Sequence, residues 1–379
     1  MQTVGRSLLV IALAASALSA VSSKAQDQHL NEGGAVFVMN NSVARNEIIS
    51  FKRAADGSLQ QDGTFATGGR GTGGVTDPLE SQGSLTLSQD HSLLFAVNGG
   101  SGELSVFQVR GSNLSLVDKK SSGGAEPNAV AQHGGLVYAL NVGGSSNVVG
   151  FTLNAAGHLK QIPNSTRFLT SNNSEAASLA FSPDGQFLLV TERASNNIDV
   201  FHVQNDGTLG SIIVNSDSEP GAFSLSFAPN GAALVSETGP AGGSNASTIS
   251  SYSVLADGTI SPISAGVATL GNANCWNAVT PNGRWVYVSN AASSTISGFR
   301  IGTTGALTPI GETVLGINPP GSGNLDIAIT ADSKFLYSLN SASGTIGIFG
   351  ISQEDGSLTN VGEANAISAK AGFNGIAAF

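Results

Sequence analysis

Two short stretches carry the side chains best suited to chemistry. A carboxylate and a guanidinium are adjacent at Glu192-Arg193, and a second carboxylate stands at Glu237. A carboxylate can draw a proton from water, and a guanidinium can hold the negative charge that grows on a carbonyl oxygen under attack. The competing reading is architectural: a turn carboxylate accepting backbone N–H groups, with Arg193 as its solvated partner. The second stretch is Cys275-Trp276-Asn277, with Glu126 and Asn128 at comparable positions earlier in the chain. A thiol and an indole at a cavity mouth suit an apolar or ring-shaped ligand, and core packing is the alternative for both. No histidine or amine is placed to activate Cys275, so it is not expected to act as a nucleophile. The histidines are His29, His91, His133, His158 and His202, and no two have metal-ligand spacing. With no zinc, EF-hand, GxSxG or phosphate-loop pattern either, neither a metal nor a cofactor is expected.

These residues need elements to position them, and the chain is built from one repeated phrase. LAFSPDGQFLLVTE runs from Leu179 to Glu192: an apolar strand, a tight turn and a second strand. Pro183 presets φ for the turn and Gly185 tolerates the reversal. NIDVF follows as a third strand after a turn at Asn196-Asn197. Related phrases end at Asn98, Asn141, Glu237, Asn290 and Asn340, and a version lacking its opening strand ends at Asn40. Seven units of roughly 50 residues, each with four short strands, are the mark of a β-propeller. The final residues, Gly375–Phe379, match the opening strand missing from the first unit. The expected fold is therefore all-β: a seven-bladed β-propeller of four-stranded antiparallel blades, closed by the C-terminal strand.

That topology sorts residues by face. Call the strands of a blade A to D from the axis outward. The SPDG turn joins A to B on one face, so the start of A and the end of B lie together on the other. The end of B is usually Asn, whose amide can bond the following turn. Blades four and five depart from this with Glu192-Arg193 and Glu237. At the start of strand A the aligned positions are Gly83, Glu126, Ala177, Phe223, Cys275, Leu325 and Gly375.

Residues 1–25 read as a secretory signal peptide: Arg6, then the apolar run SLLVIALAASAL, then Ser23-Lys24-Ala25 as a cleavage site. Residues 26–379 then form one propeller domain, secreted or periplasmic, with no membrane span. The chain has 16 basic and 26 acidic residues, which argues against a nucleic-acid partner. Its single cysteine, Cys275, allows no internal disulfide. A monomer is expected, held by ring closure.

The phrases FSPDGxFLxVTE and TPNGRWVYVSN resemble the lactonase family of seven-bladed propellers, which includes 6-phosphogluconolactonase-like and carboxymuconate-cyclase-like proteins. The resemblance covers essentially the whole chain after the signal. It implies a channel-face pocket rich in His, Arg and Glu, often with a Pro-His pair before strand A. Here those positions hold Ala176-Ala177, Pro127 beside Glu126, and Cys275. On this reading the protein is an exported hydrolase of a small cyclic ester, or a related lactone-forming cyclase. Glu192 or Glu237 would be the base, Arg193 the oxyanion partner, and Trp276 the platform for the ring. The alternative is a non-catalytic propeller binding a glycan, small molecule or protein on the same face.

Overall fold

A computed structural model describes residues 34–240 and 243–379; the signal-peptide reading and His29 lie outside the described residues. Seven antiparallel sheets form the blades, six with their strands in sequential order from the axis outward and blade one with the last strand of the chain innermost. No helix occurs among the described residues. Blade four is typical: A is Ala176–Phe181, B is Phe187–Glu192, C is Asn197–His202 and D is Ile213–Ser216. B strands are largely apolar because both faces are covered by neighbouring blades, as in Phe187–Glu192, where every residue is buried.

The A–B turn repeats one small device. Ser182 Oγ donates to Asp184 Oδ1 (2.6 Å) and accepts from the Phe187 amide (3.0 Å), while Gly185 takes φ 70°. Thr280 with Asn282 and Trp285, and Thr330 with Asp332 and Phe335, do the same in blades six and seven. The hydroxyl and the carboxylate or amide thus satisfy turn groups that no ladder reaches.

The ring is closed by the C-terminal strand, as expected. Asn374–Ala378 forms strand A of blade one, antiparallel to Ala35–Met39, with Val36 opposite Ala378 and Val38 opposite Ile376. Phe379 stacks on Phe37 with centroids 6.2 Å apart. Neighbouring blades are also stapled by tyrosines on strand B. Tyr138, Tyr287 and Tyr337 donate to the carbonyls of Gly207, Gly356 and Gly57, each in the C–D turn of the following blade (2.6, 2.7 and 2.9 Å). The ring body of each tyrosine fills the interblade core while its hydroxyl is spent at the rim. The Tyr337 bond ties blade seven back to blade one.

Candidate functional site

On the face opposite the SPDG turns, strand A begins with a bulge in several blades. The pairing register skips between Ala176 and Ser178, Ala222 and Leu225, Asn274 and Trp276, and Asn324 and Ile327. Ala177, Phe223, Cys275 and Leu325 occupy these skips and join Trp276, Phe373 and Ile376 in one buried apolar cluster. The channel is therefore lined by carbon on this side. In blade three the skip falls between Pro127 and Ala129, so Asn128, not Glu126, corresponds to Cys275. Glu126 sits two residues earlier at φ 50°, with an exposed side chain. The aligned position proposed for Glu126 is corrected accordingly: a bulge shifts register without leaving a mark in the apolar pattern.

A strap closes the channel. Residues 67–84 join strand D of blade one to strand A of blade two, and their second half binds strand A of blades on opposite sides of the ring. Trp276 Nε1 donates to the Ser81 carbonyl (2.9 Å) and the Asn277 amide to Gln82 Oε1 (3.0 Å). The Gln82 amide donates to the Ala177 carbonyl (2.9 Å), and Ser81 Oγ to the Asn128 carbonyl (2.7 Å). Asn374 Nδ2 donates to Asp77 Oδ1 (3.1 Å). Blades one, three, four and six are thereby tied across the axis.

Arg193 meets this strap. Its Nη2 pairs with Glu80 of the strap (2.5 Å) and with Glu175 (2.8 Å), its Nε donates to Glu175 (2.9 Å), and its guanidinium lies over the Phe223 ring (5.8 Å). Nη1 makes no hydrogen bond among the described residues. Burial alone would lower the guanidinium pKa, but the two carboxylates outweigh it and the net shift is upward. Asp77 is pushed up to about 7, chiefly by burial of its carboxyl; the Asn374 bond opposes this, Glu80 adds to it and Arg193 offsets it. Asp326, on strand A of blade seven, also rises to about 7 from burial, with Asp77 as a further repulsive neighbour. Asp77 and Glu80 both hold positive φ, 46° and 44°, unusual for non-glycine residues and found where structure over-determines the backbone. Burial, joined by repulsion from Asp77, raises the Cys275 thiol far above its ordinary range.

The family model described as "Lactonase, 7-bladed beta-propeller" matches residues 143–276 and 258–371. The chain belongs to that family. Among solved structures, a candidate 6-phosphogluconolactonase from Bacteroides uniformis is similar at TM-score 0.68 and 18% identity, covering 91% of this chain and 99% of its own. A Lactobacillus plantarum protein gives the same score and identity, with 91% and 98% covered. The periplasmic gluconolactonase of Pseudomonas aeruginosa gives 0.66 and 15%, with 90% and 98% covered. At these identities the likeness speaks for the fold. No curated protein sequence matches the chain.

In this lactonase-family propeller the sequence-derived set separates. Arg193 stands at the channel mouth, but its carboxylate partners are Glu80 and Glu175, not Glu192 or Glu237. Glu192 is 0% exposed and accepts from the Thr170 amide (2.9 Å), from Thr170 Oγ1 and from Ser195 Oγ (2.5 Å). It occupies the Asn position of other blades and faces strand C. Asn98 donates to Ser105 (2.8 Å) and Asn290 to Ser297 (2.9 Å), seven residues on; in blade four the same pair is Glu192 and Asp199. Two buried carboxyl groups at one locus cannot both ionise, and Asp199 rises to about 8 through burial, then repulsion by Glu192 and the hydrogen bond that protonated Asp199 donates to it. Glu237 is equally buried, accepts from Thr248 Oγ1 (2.9 Å), and is pushed well above the carboxylate range by burial and by Asp217.

The binding set is partly gathered. Cys275 and Trp276 lie in the apolar lining, with Trp276 edge-on to Phe223 at 5.2 Å. Asn128 Nδ2 is spent on the Ala176 carbonyl (2.8 Å), and Asn277 Nδ2 on Ser224 and Ser236 (2.8 and 3.1 Å). The side chains missed by sequence reasoning are Asp77, Glu80 and Glu175. The available signal was length: 67–84 is the longest link between blades, and long links in compact folds tend to serve function. Among the described residues no group of three or more His, Cys, Asp or Glu is placed to hold a metal ion.

Proposed function

We propose that this lactonase-family propeller is an exported hydrolase that opens a small, uncharged cyclic ester at the Arg193 mouth. The observation that carries the reading is the meeting of Arg193 with the strap, beside Asp77, a carboxyl whose pKa is pushed up to about 7. Such a group is poised to exchange a proton with water near neutrality. Ionised Asp77 takes a proton from water as the water oxygen adds to the lactone carbonyl. Arg193 Nη1 donates to the oxyanion, and collapse breaks the ring C–O bond while the leaving alkoxide recovers the proton from Asp77. Phe223 backs the Arg193 guanidinium and Trp276 anchors the strap, so both position the mouth from beneath. Charge favours a neutral substrate: Glu80 and Glu175 together outweigh the single guanidinium. A phosphorylated lactone would meet net repulsion. Export rests on the N-terminal pattern of Arg6, the apolar run and Ser23-Lys24-Ala25.

The test is hydrolysis of a panel of neutral and anionic five- and six-membered lactones by residues 26–379. Arg193→Ala should lower kcat/KM about 100-fold, the scale for loss of one oxyanion donor. Wild-type kcat/KM should rise with pH through about 7, as Asp77 ionises. Asp77→Asn, which tolerates the same positive φ, should abolish both the activity and that rise. Wild-type inactivity on every lactone would overturn the enzyme reading and leave the ligand-binding alternative. Full activity of Arg193→Ala would move the site elsewhere.

A further inference from the structure

The strap has a second side. Below it, toward the SPDG turns, the channel opens into a cavity of about 290 Å³, with Gln82 and Gly83 of the strap at its head and strand A of blades two to five as its walls. No Asp, Glu, Lys or Arg lines it. The polar groups are amides, hydroxyls and one imidazole, set among Val130, Leu179 and Leu225. We propose that this opposite mouth is a binding site for a small uncharged polyhydroxylated molecule of monosaccharide size.

Three donors there can be assigned from their surroundings. Gln82 Oε1 is fixed by the Asn277 amide, which can only donate, so the Gln82 NH₂ is the end left over; it has no partner among the described residues. The Ser178 hydroxyl makes no hydrogen bond among the described residues and lies on the cavity wall. A hydroxyl on the wall with no protein partner is free to exchange hydrogen bonds with a ligand hydroxyl. His133 Nδ1 faces Gln89 Nε2 at 3.3 Å. The amide nitrogen donates, so Nδ1 accepts and the imidazole proton sits on Nε2 as a further donor. Phe181, tilted against His133 at 5.8 Å, offers an apolar ring face. Amide, hydroxyl and imidazole donors beside carbon walls match alternating hydroxyls and C–H faces. An ionic ligand would find no counter-charge there, and burying it unpaired is unfavourable. The volume lies at the small end of ligand sites, enough for one sugar ring and not for an oligosaccharide.

Residues 26–379 would be titrated with D-glucose and D-galactose, and with D-gluconate and D-glucosamine as charged comparators, by calorimetry and ligand-observed NMR. The neutral sugars are expected to bind saturably with a dissociation constant on the order of millimolar. The charged ones should bind about tenfold more weakly. Ser178→Val, which puts carbon in place of the hydroxyl, should weaken binding at least about fivefold. Ala180→Phe should abolish it by filling the cavity from a half-buried wall position. Far-UV circular dichroism and thermal midpoint would show that each variant folds. Arg193→Ala, on the other side of the strap, should bind the sugars as wild type does whatever its effect on lactone hydrolysis. The proposal is overturned by any of four results: no saturable binding of either neutral sugar, equal binding of the charged comparators, wild-type affinity in folded Ser178→Val and Ala180→Phe, or loss of sugar binding in Arg193→Ala.

Discussion

Replacing Asp199 by serine would test the reading of blade four as a carboxyl pair that shares a proton. Serine is what blades two and six carry there, as Ser105 and Ser297, so the site has a working precedent within the same ring. The Asp199 pKa is 3.8 in the ordinary state and about 8 when folded. The folded form therefore holds a proton that the unfolded chain releases. Its stabilising share is fully present below pH 3.8, and is lost progressively as pH rises through about 8. At about 1.4 kcal/mol per pH unit, the span from pH 5 to 8 amounts to about 4 kcal/mol. Serine does not titrate in this range, and its hydroxyl can donate to Glu192. The stability difference between Asp199→Ser and wild type should then move in the variant's favour by about 4 kcal/mol between pH 5 and 8. Other buried carboxyls titrate too, including Asp77, Asp217 and Asp326, but they are common to both proteins and largely cancel in the difference. Guanidinium unfolding of both proteins at pH 5, 6, 7 and 8 supplies the measurement. A difference that stays constant to within about 1 kcal/mol over that range would refute the shared proton.

Three further outcomes follow from the geometry. Deleting 374–379 should remove strand A of blade one and the burial of Ile376 and Phe379, costing about 3–6 kcal/mol by area alone; an unchanged thermal midpoint would contradict closure. Trp276→Phe keeps the ring but drops the donor to the Ser81 carbonyl, so it should cost about 1–3 kcal/mol and speed proteolytic cutting within 75–83; limited proteolysis followed by mass spectrometry reads this directly. Cys275, buried and shifted far toward the thiol, should resist iodoacetamide in the native state and react only on unfolding; rapid native labelling would show the packing to be looser than described.

The fold was legible because each blade spells its own strands and turns. FSPDG-type turns and B strands buried on both faces leave little choice of secondary structure, and the missing first strand found its match in Gly375–Phe379. The site was less legible for two physical reasons. Arg193 was placed on the correct face by topology, but its partners come from links between blades: Glu80 lies 113 positions away. No local pattern encodes such a meeting. Glu192 was conspicuous because it replaced an asparagine, yet the replacement is answered within the blade by Thr170, Ser195 and Asp199. Sequence marks a departure from the repeat without saying whether it faces the axis or strand C. The bulge that moved Glu126 out of register is a similar case, since one extra residue leaves the alternation on either side intact.

Blade one is a composite: three strands come from 35–66 and the innermost from 374–378, with the other six blades between them in the chain. Order of synthesis and order of assembly are therefore decoupled. Blades two to seven can each pair from neighbouring segments as soon as those segments exist, whereas Ala35–Met39 must wait with its inner edge open. An open edge accepts any strand of fitting register. The best-fitting competitor is the 374–378 segment of another copy of the chain, which would present the same Ile376 and Phe379 to the same gap. A crowded population of half-assembled rings is thus at risk of exchanging these segments, linking molecules head to tail through a contact each of them makes internally when alone.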